Sequence, residues 1–373
     1  MAATPHALLL SGSLGMGHDV MAEACAVSLA RRGWTTETMN SLALMGKAAG
    51  GWGERVFRLL LDTPGVYDAF HFEQLRAGGR LARLAERSSS RYAVPVLAAA
   101  LECHPAQLIV SVFATGAAAA ARVKEAGRDL VTVTFCTDVN PHSLWVQPGT
   151  DLYLVTSQTA VGFVRRFHPD AEIQIVPTPV RPSFYSAPAK ADARDELGVP
   201  HDQPCVVLMA GAWALGPLVE SAIALAEAGI HTLAVAGRNT EIENRLRAAA
   251  SELSRLHPFG YTDEVPTLMA AADVVITTSG DTCSEARVIG RHVVLLDLVP
   301  GHGRENLQHE LERGDADVVS TDPAALVRGV GAVLERIADR PDPPAGTAAG
   351  WERAFGAALA QLGLDASATG TAG

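Results

Sequence analysis

Two stretches of this chain combine small residues and polar side chains in a way that suits anion chemistry. Near the start, an apolar run from Ala7 to Leu10 enters Ser11-Gly-Ser-Leu-Gly15-Met-Gly17-His18 and then a helical pattern. Far downstream, Asp273-Val-Val-Ile-Thr-Thr-Ser279-Gly280-Asp281-Thr282-Cys-Ser284-Glu285-Ala286 repeats the plan. Each reads as a buried strand that turns through small residues into a helix N-terminus. Such a turn offers unpaired backbone N–H groups and the positive end of a helix dipole, a setting for phosphate or another anion. His18 stands on the first of these turns, where an imidazole can serve as a base; the plain alternative is a helix N-terminal histidine hydrogen-bonded locally. A third cluster, Thr137-Asp138-Val-Asn140-Pro-His142-Ser-Leu-Trp145, directly follows an apolar strand. It therefore falls at the carboxyl end of a sheet, where open α/β sheets bind ligands. Asp138 and His142 suit acid–base work there, with loop capping as the alternative.

Placing these groups takes two α/β halves, and 373 residues is a natural length for two such domains. In the first half, strands such as Ala7–Ser11, Leu108–Val112 and Leu130–Thr134 alternate with helices such as Met21–Arg32, Ala93–Glu102 and Gly116–Ala126. The second half repeats the alternation through Cys205–Met209, Thr232–Ala236, Val274–Thr277 and Val293–Asp297. Buried, β-branched strands in this rhythm predict parallel sheets with helices on both faces. Pro188 and the small residues of Ser186–Ala193 break the periodicity, so the first domain is expected over 1–185 and the second over 186–345. A helix within 346–363 is expected to cross back to the first domain, and 364–373 to be a disordered tail.

Composition narrows the function. The net charge is −11, with 16 basic and 15 acidic residues up to Tyr185 against 14 and 26 beyond it. An acidic chain is poorly suited to nucleic acid, whose binding depends on neutralising phosphates. The five cysteines are scattered with no CxxC, which predicts reduced thiols in a cytoplasmic protein. No window approaches ~20 apolar residues free of charge, so neither a spanning helix nor a signal peptide is expected.

The first turn is an incomplete dinucleotide fingerprint, since Val20 stands where a third Gly or Ala belongs and no acid closes the second strand. The order of motifs says more. Gly15-x-Gly17-His18, Thr137-Asp138-x-Asn140-x-His142-x-x-Trp145 and Pro179-Val180-Arg181-Pro182-Ser183-Phe184 come first. Leu208-Met209-Ala-Gly211, Gly237-Arg238-Asn239, Phe259-Gly260-Tyr261, Gly280 to Ala286 and Pro300-Gly301 to Asn306 follow. Together they resemble the monogalactosyldiacylglycerol synthase type of glycosyltransferase and the related peptidoglycan N-acetylglucosaminyltransferases, over about residues 5–330. The resemblance implies the GT-B fold: two Rossmann-like domains facing a cleft, acceptor in the first and donor in the second. It implies an inverting transfer from a nucleotide-sugar, most simply a UDP-sugar, to a lipid or natural-product hydroxyl. The nucleotide-sugar is then a co-substrate; no cofactor and no metal are expected. His18 and Asp138 become the candidate catalytic pair; the choice of base is open, with Asp138 favoured because its loop also carries Asn140 and His142 as orienters. Gly211, Ala212, Arg238, Gly280, Asp281, Thr282, Ser284, Glu285 and Asn306 become the donor set, Glu285 holding the ribose hydroxyls. Gly15, Gly17, Asn140, His142 and Trp145 become the acceptor set.

The chain departs from the pattern at three places. The sugar-reading loop is Gly301-His302-Gly303-Arg304-Glu305-Asn306, Trp213 replaces a small or acidic residue, and Phe113 stands where a His is usual. The sugar is therefore left open. Two alternatives stand beside a transferase: a non-hydrolysing sugar-nucleotide 2-epimerase, and an idle nucleotide-sugar-binding relative, whose sign would be loss of His18, Asp138 and Glu285. The stretch 52–91 holds seven arginines against five acids, and Arg76, Arg80, Arg83 and Arg87 recur at helical spacing. This stripe is either a solvated helix face or a patch for peripheral contact with an anionic membrane, at its inner face.

Overall fold

A computed structural model gives the structure of residues 4–12, 17–45, 78–210, 216–298 and 302–364. The chain divides into two compact units, Met1–Pro179 with Pro300–His302 and Ala349–Gly373, and Val180–Val299 with Gly303–Ala348.

In the first unit, β1 (His6–Ser11) leads to α1 (Gly17–Ala30), then β2 (Thr35–Asn40), α2 (Arg80–Cys103), β3 (Leu108–Ser111) and α3 (Ala114–Glu125). β4 (Val131–Phe135), β5 (Leu152–Val155), α4 (Gln158–Phe167) and β6 (Ile173–Ile175) follow. The strands form one parallel sheet in the order β2-β1-β3-β4-β5-β6. β3 and β5 are buried along their whole length, as strands covered on both faces must be. The chain leaves β1 toward β2 on one side and returns to β3 on the other. The carboxyl ends of β1 and β3 therefore form a switch point, the place where such sheets hold ligands.

The second unit runs α5 (Pro182–Tyr185), α6 (Lys190–Leu197), β7 (Cys205–Met209), α7 (Leu218–Glu227), β8 (His231–Val235), α8 (Thr240–Ala250) and β9 (Leu256–Phe259). It continues with α9 (Val265–Ala271), β10 (Val274–Thr277), α10 (Asp281–Ile289), β11 (His292–Leu296), α11 (His302–Arg313), β12 (Ala316–Val319) and α12 (Pro323–Ile337). Its parallel sheet is ordered β12-β11-β10-β7-β8-β9, with the switch point between β7 and β10. The final helix, α13 (Ala349–Gln361), packs in the first unit's core: Trp351, Phe355 and Leu359 lie with Cys25 and Leu29 of α1 and Phe135 of β4. Four of the five cysteines are buried, and those described are unpaired.

Three local expectations change. The helix expected from Ala93 begins at Arg80 and carries Pro95 inside it. Its exposed residues mix Arg80, Arg87 and Arg91 with Leu84 and Tyr92, so no clean apolar stripe marks the first turns; the part expected from Ala93 onward packs Ala93, Leu97 and Leu101 with α3. The passage between units falls at Val180, not within 186–193, because Val180 and Phe184 are buried in the second unit's core. Lys190–Leu197 is a helix ended by Gly198 at φ 66°, the left-handed stop that glycine favours. Strand β12 was missed: in four residues, two half-buried, one exposed and only Val319 buried, there is no alternation to read.

Candidate active site

His18 is the second residue of α1. Its Nδ1 lies 2.9 Å from the Val112 carbonyl oxygen, just past the end of β3. A carbonyl only accepts, so Nδ1 bears the proton and the lone pair lies on Nε2, the tautomer of a general base. Thr137 Oγ1 stands 3.3 Å from the same nitrogen, and Phe113 meets the imidazole edge-on, 5.0 Å between centroids at 77°. A Cβ on Gly12 would fall 2.3 Å from the Phe113 ring, so glycine at that turn is what admits the phenylalanine. Ser11 donates to Asp19 at 2.5 Å, bracing the turn from β1 into α1. Segments after β1, β3 and β4 thus converge on one imidazole at the switch point.

Asp138 is one residue past Thr137. Its Oδ2 accepts from the Trp145 indole at 2.9 Å and lies 3.5 Å from His142 Nε2. His142 Nδ1 accepts from the Leu144 amide at 3.3 Å, which leaves Nε2 as the N–H turned toward Asp138. Trp145 and His142 are both buried. Asp138, His142 and Trp145 therefore form one cross-braced loop, and it is Thr137 that touches His18. Asn140 Oδ1 is shut off from solvent with no partner, an unmet demand for a donor. Gly17 opens α1; Gly15 lies outside the described residues.

In the second unit, α10 starts at Asp281 after Gly280, and no side chain caps its N-terminus. Asp281, Thr282 and Ser284 are half-buried on its first turns. A Cβ on Gly280 would meet nothing within 4 Å, so open space lies over the turn. Glu285 is buried. Burial raises its pKa from 4.5 to about 7, opposed by the Arg181 guanidinium and reinforced by Asp281. Arg181 Nη2 is 3.5 Å from Glu285 Oε1, its guanidinium lies over the Phe184 ring, and its Nε is buried without a partner. Arg181 belongs to this cluster although it was not among the candidate site residues; its signal was the Pro-Val-Arg-Pro motif. Arg238 lies over the Tyr261 ring at 4.9 Å, while Asn239 caps α8 by accepting from Ile242 N at 3.1 Å. Asn306 donates to the Ser279 carbonyl at 3.3 Å, which ties α11 to the turn before α10. Gly211 and Ala212 lie outside the described residues.

Among the described residues no three or more His, Cys, Asp or Glu side chains gather to hold a metal ion, and no helix is long and apolar enough to cross a membrane.

The family model of monogalactosyldiacylglycerol (MGDG) synthase matches residues 81–173, which include β3, β4 and the Asp138 loop. A probable chloroplastic monogalactosyldiacylglycerol synthase 2 of Oryza sativa subsp. indica is 28% identical over 356 residues, spanning 88% of this chain and 73% of its own. A processive diacylglycerol beta-glucosyltransferase of Bacillus subtilis (strain 168) is 27% identical over 203 residues, 53% of each chain. In fold, a glycosyltransferase from Rickettsia africae superposes with a TM-score of 0.54 over 98% of this chain and 97% of its own, at 12% identity. Anabaena HepE in complex with UDP does so with 0.55 over 97% and 96%, at 15% identity. The protein is a glycosyltransferase with the GT-B fold, similar over residues 81–173 to the monogalactosyldiacylglycerol synthase family. In this transferase the family match falls on the first unit's Asp138 loop, and the curated relatives bear transferase names, which does not favour the epimerase alternative.

Proposed function

We propose that the transferase moves a sugar from a UDP-sugar to a hydroxyl of a diacylglycerol-like lipid, with inversion at the anomeric carbon and without a metal. The observation that carries this reading is the anchoring of His18 Nδ1 on the Val112 carbonyl, which makes Nε2 the basic atom. The acceptor oxygen attacks the anomeric carbon as the bond from that carbon to the diphosphate oxygen breaks. The hydroxyl proton passes to His18 Nε2 and then to water, and UDP leaves with the bonding pair. Asp138, already engaged by Trp145 and His142, shapes the acceptor loop rather than taking the proton. On the donor side, Glu285 accepts the ribose hydroxyls, and the uncapped start of α10 meets the diphosphate, where fixed N–H dipoles stabilise developing negative charge. The relatives' names support the lipid acceptor, and the UDP complex of HepE, a protein of the same fold, supports the donor class.

The exposed face of α2 supports where such a lipid is met. Arg80, Arg87 and Arg91 are exposed beside Leu84 at 63% and Tyr92 at 59% exposure, a basic and apolar mixture suited to peripheral contact with anionic lipid. Arg76 lies outside the described residues.

Turnover with UDP-galactose or UDP-glucose and diacylglycerol in mixed micelles tests the mechanism. His18→Ala is expected to lower kcat by ~10²–10⁴-fold with UDP affinity kept, and Asp138→Asn to lower it less. Near-normal turnover in His18→Ala, with the large loss in Asp138→Asn, would transfer the base to Asp138. Transfer to a soluble polyphenol but not to diacylglycerol would replace the lipid with a natural-product acceptor.

A further inference from the structure

The first turn of α11 contains Gly303-Arg304-Glu305, which depart from the family pattern, and Asn306, which keeps it. It is tied to the turn before α10 through one residue. Ser279 Oγ donates to the Gly303 carbonyl at 2.8 Å, and the Ser279 carbonyl accepts from Asn306 Nδ2 at 3.3 Å. The two bonds run in opposite directions between the same pair of segments, so they fix both the distance and the rotation of α11 relative to Ser279. A second tie holds the far end. Arg287, two turns along α10, bonds Glu310 of α11 and reaches Asp315 at 2.7 Å. Its Nε and Nη1 are buried without partners, so the guanidinium is drawn to its carboxylates at the expense of its other donors. Gly303 is itself buried, and water does not readily replace the Ser279 hydroxyl there.

We propose that Ser279 is a positioning residue that indexes the sugar-side helix α11 against the diphosphate-side turn, and so sets how much the sugar adds to nucleotide affinity. This rests on the donor site proposed above. The nucleotide is held by groups on α10 and by Arg181 and Arg238, none of which uses the Ser279 hydroxyl. The sugar portion extends beyond the diphosphate, where α11 supplies side chains whose placement depends on the clasp. Ser279 touches neither reacting atom in this scheme; it acts through α11.

The test compares wild type, Ser279→Ala and Ser279→Thr by calorimetry with UDP, UDP-glucose and UDP-galactose. It also compares them, without ligand, by amide hydrogen exchange. For Ser279→Ala the UDP dissociation constant is expected to stay within about twofold. The advantage of the preferred UDP-sugar over UDP should shrink by roughly three- to tenfold, the range for one hydrogen bond. Ser279→Thr, which keeps the hydroxyl, should restore it. Exchange over 303–306 should quicken by a similar factor in the Ala variant while the amides of α10 stay unchanged. Equal weakening of UDP and UDP-sugars, no rescue by Thr, or unchanged exchange over 303–306 would each overturn the role given to Ser279. If wild type binds neither UDP nor UDP-sugars, the donor reading falls, and the exchange arm still decides whether Ser279 holds α11.

Discussion

Glu285 is a carboxylate that burial has driven toward its neutral form: its pKa rises from 4.5 to about 7, with Arg181, 3.5 Å away, only partly offsetting the loss of water. A carboxyl whose pKa is higher in the folded state contributes most below about 4.5, where folded and unfolded forms are both protonated. That contribution is lost as pH rises through 7. Ionised Glu285 therefore strains the ligand-free second unit by about 3 kcal/mol, taking ~1.4 kcal/mol per pKa unit. Glu285→Gln is expected to match wild type in urea unfolding near pH 5 and to exceed it near pH 8. The same variant should weaken UDP binding by ~1–3 kcal/mol. An equal stability difference at both pH values would show that ionisation of Glu285 carries no such strain. Gly280 offers a second test. Its φ of −147° is ordinary extended backbone, and its Cβ position is empty, so Gly280→Ala should leave the melting temperature nearly unchanged. If a phosphate approaches this turn, the added methyl should weaken UDP by about tenfold, or ~1.4 kcal/mol. Unchanged affinity would move the diphosphate elsewhere.

At the scale of elements, α13 is the least local part of the first unit, held there by aromatic packing and ion pairs. Trp351 stacks on Phe135 at 5.6 Å and on Phe355 at 4.9 Å. Glu352 bonds Ser28 at 2.7 Å, Arg31 at 2.7 Å and Arg32 at 3.0 Å, all on or just after α1. Burial raises the Glu352 pKa, but the Ser28 and Arg32 hydrogen bonds outweigh it and hold the carboxyl below 4.5. Its contribution is therefore present above that pH and is lost as pH falls through the lowered folded value. Trp351→Ala should destabilise the first unit by ~3–5 kcal/mol, as buried tryptophans do. Glu352→Gln should cost about 1 kcal/mol at neutral pH and little in acid. Tryptophan-free reporters placed in each unit, followed through urea unfolding, check both. A Trp351→Ala shift confined to the second unit would contradict the packing of α13. The extent of α2 belongs to this scale as well: its arginine spacing was readable, but its start at Arg80 was not, because its exposed first turns mix Arg80 and Arg87 with Leu84 and show no apolar stripe.

For the whole molecule, the proposed membrane contact is governed by charge. The net charge is −11, yet the 185 residues up to Tyr185 are almost neutral and place exposed arginines on α2. Each such arginine contributes ~1 kcal/mol near anionic lipid, so binding should be weak, peripheral and screened by salt. Flotation with vesicles containing anionic lipid is expected at low salt and not at high salt. Arg80→Glu with Arg87→Glu should abolish it, and absence of flotation under every condition would return this face to an ordinary helix surface. The sequence by itself determined that the chain is two parallel α/β halves. Buried strands such as Leu108–Ser111 and Leu152–Val155, and helices that begin on small residues, are written in short-range patterns of size and polarity. The order of its motifs also carried the kinship. Tertiary structure alone decided which partners the candidate site residues meet. The His18 tautomer is set by a carbonyl 94 positions away, Glu285 faces an arginine 104 positions away, and Asn306 turns to a carbonyl 27 positions away. Protonation and orientation depend on partners brought close by the fold, and no local pattern encodes the identity of a partner that distant.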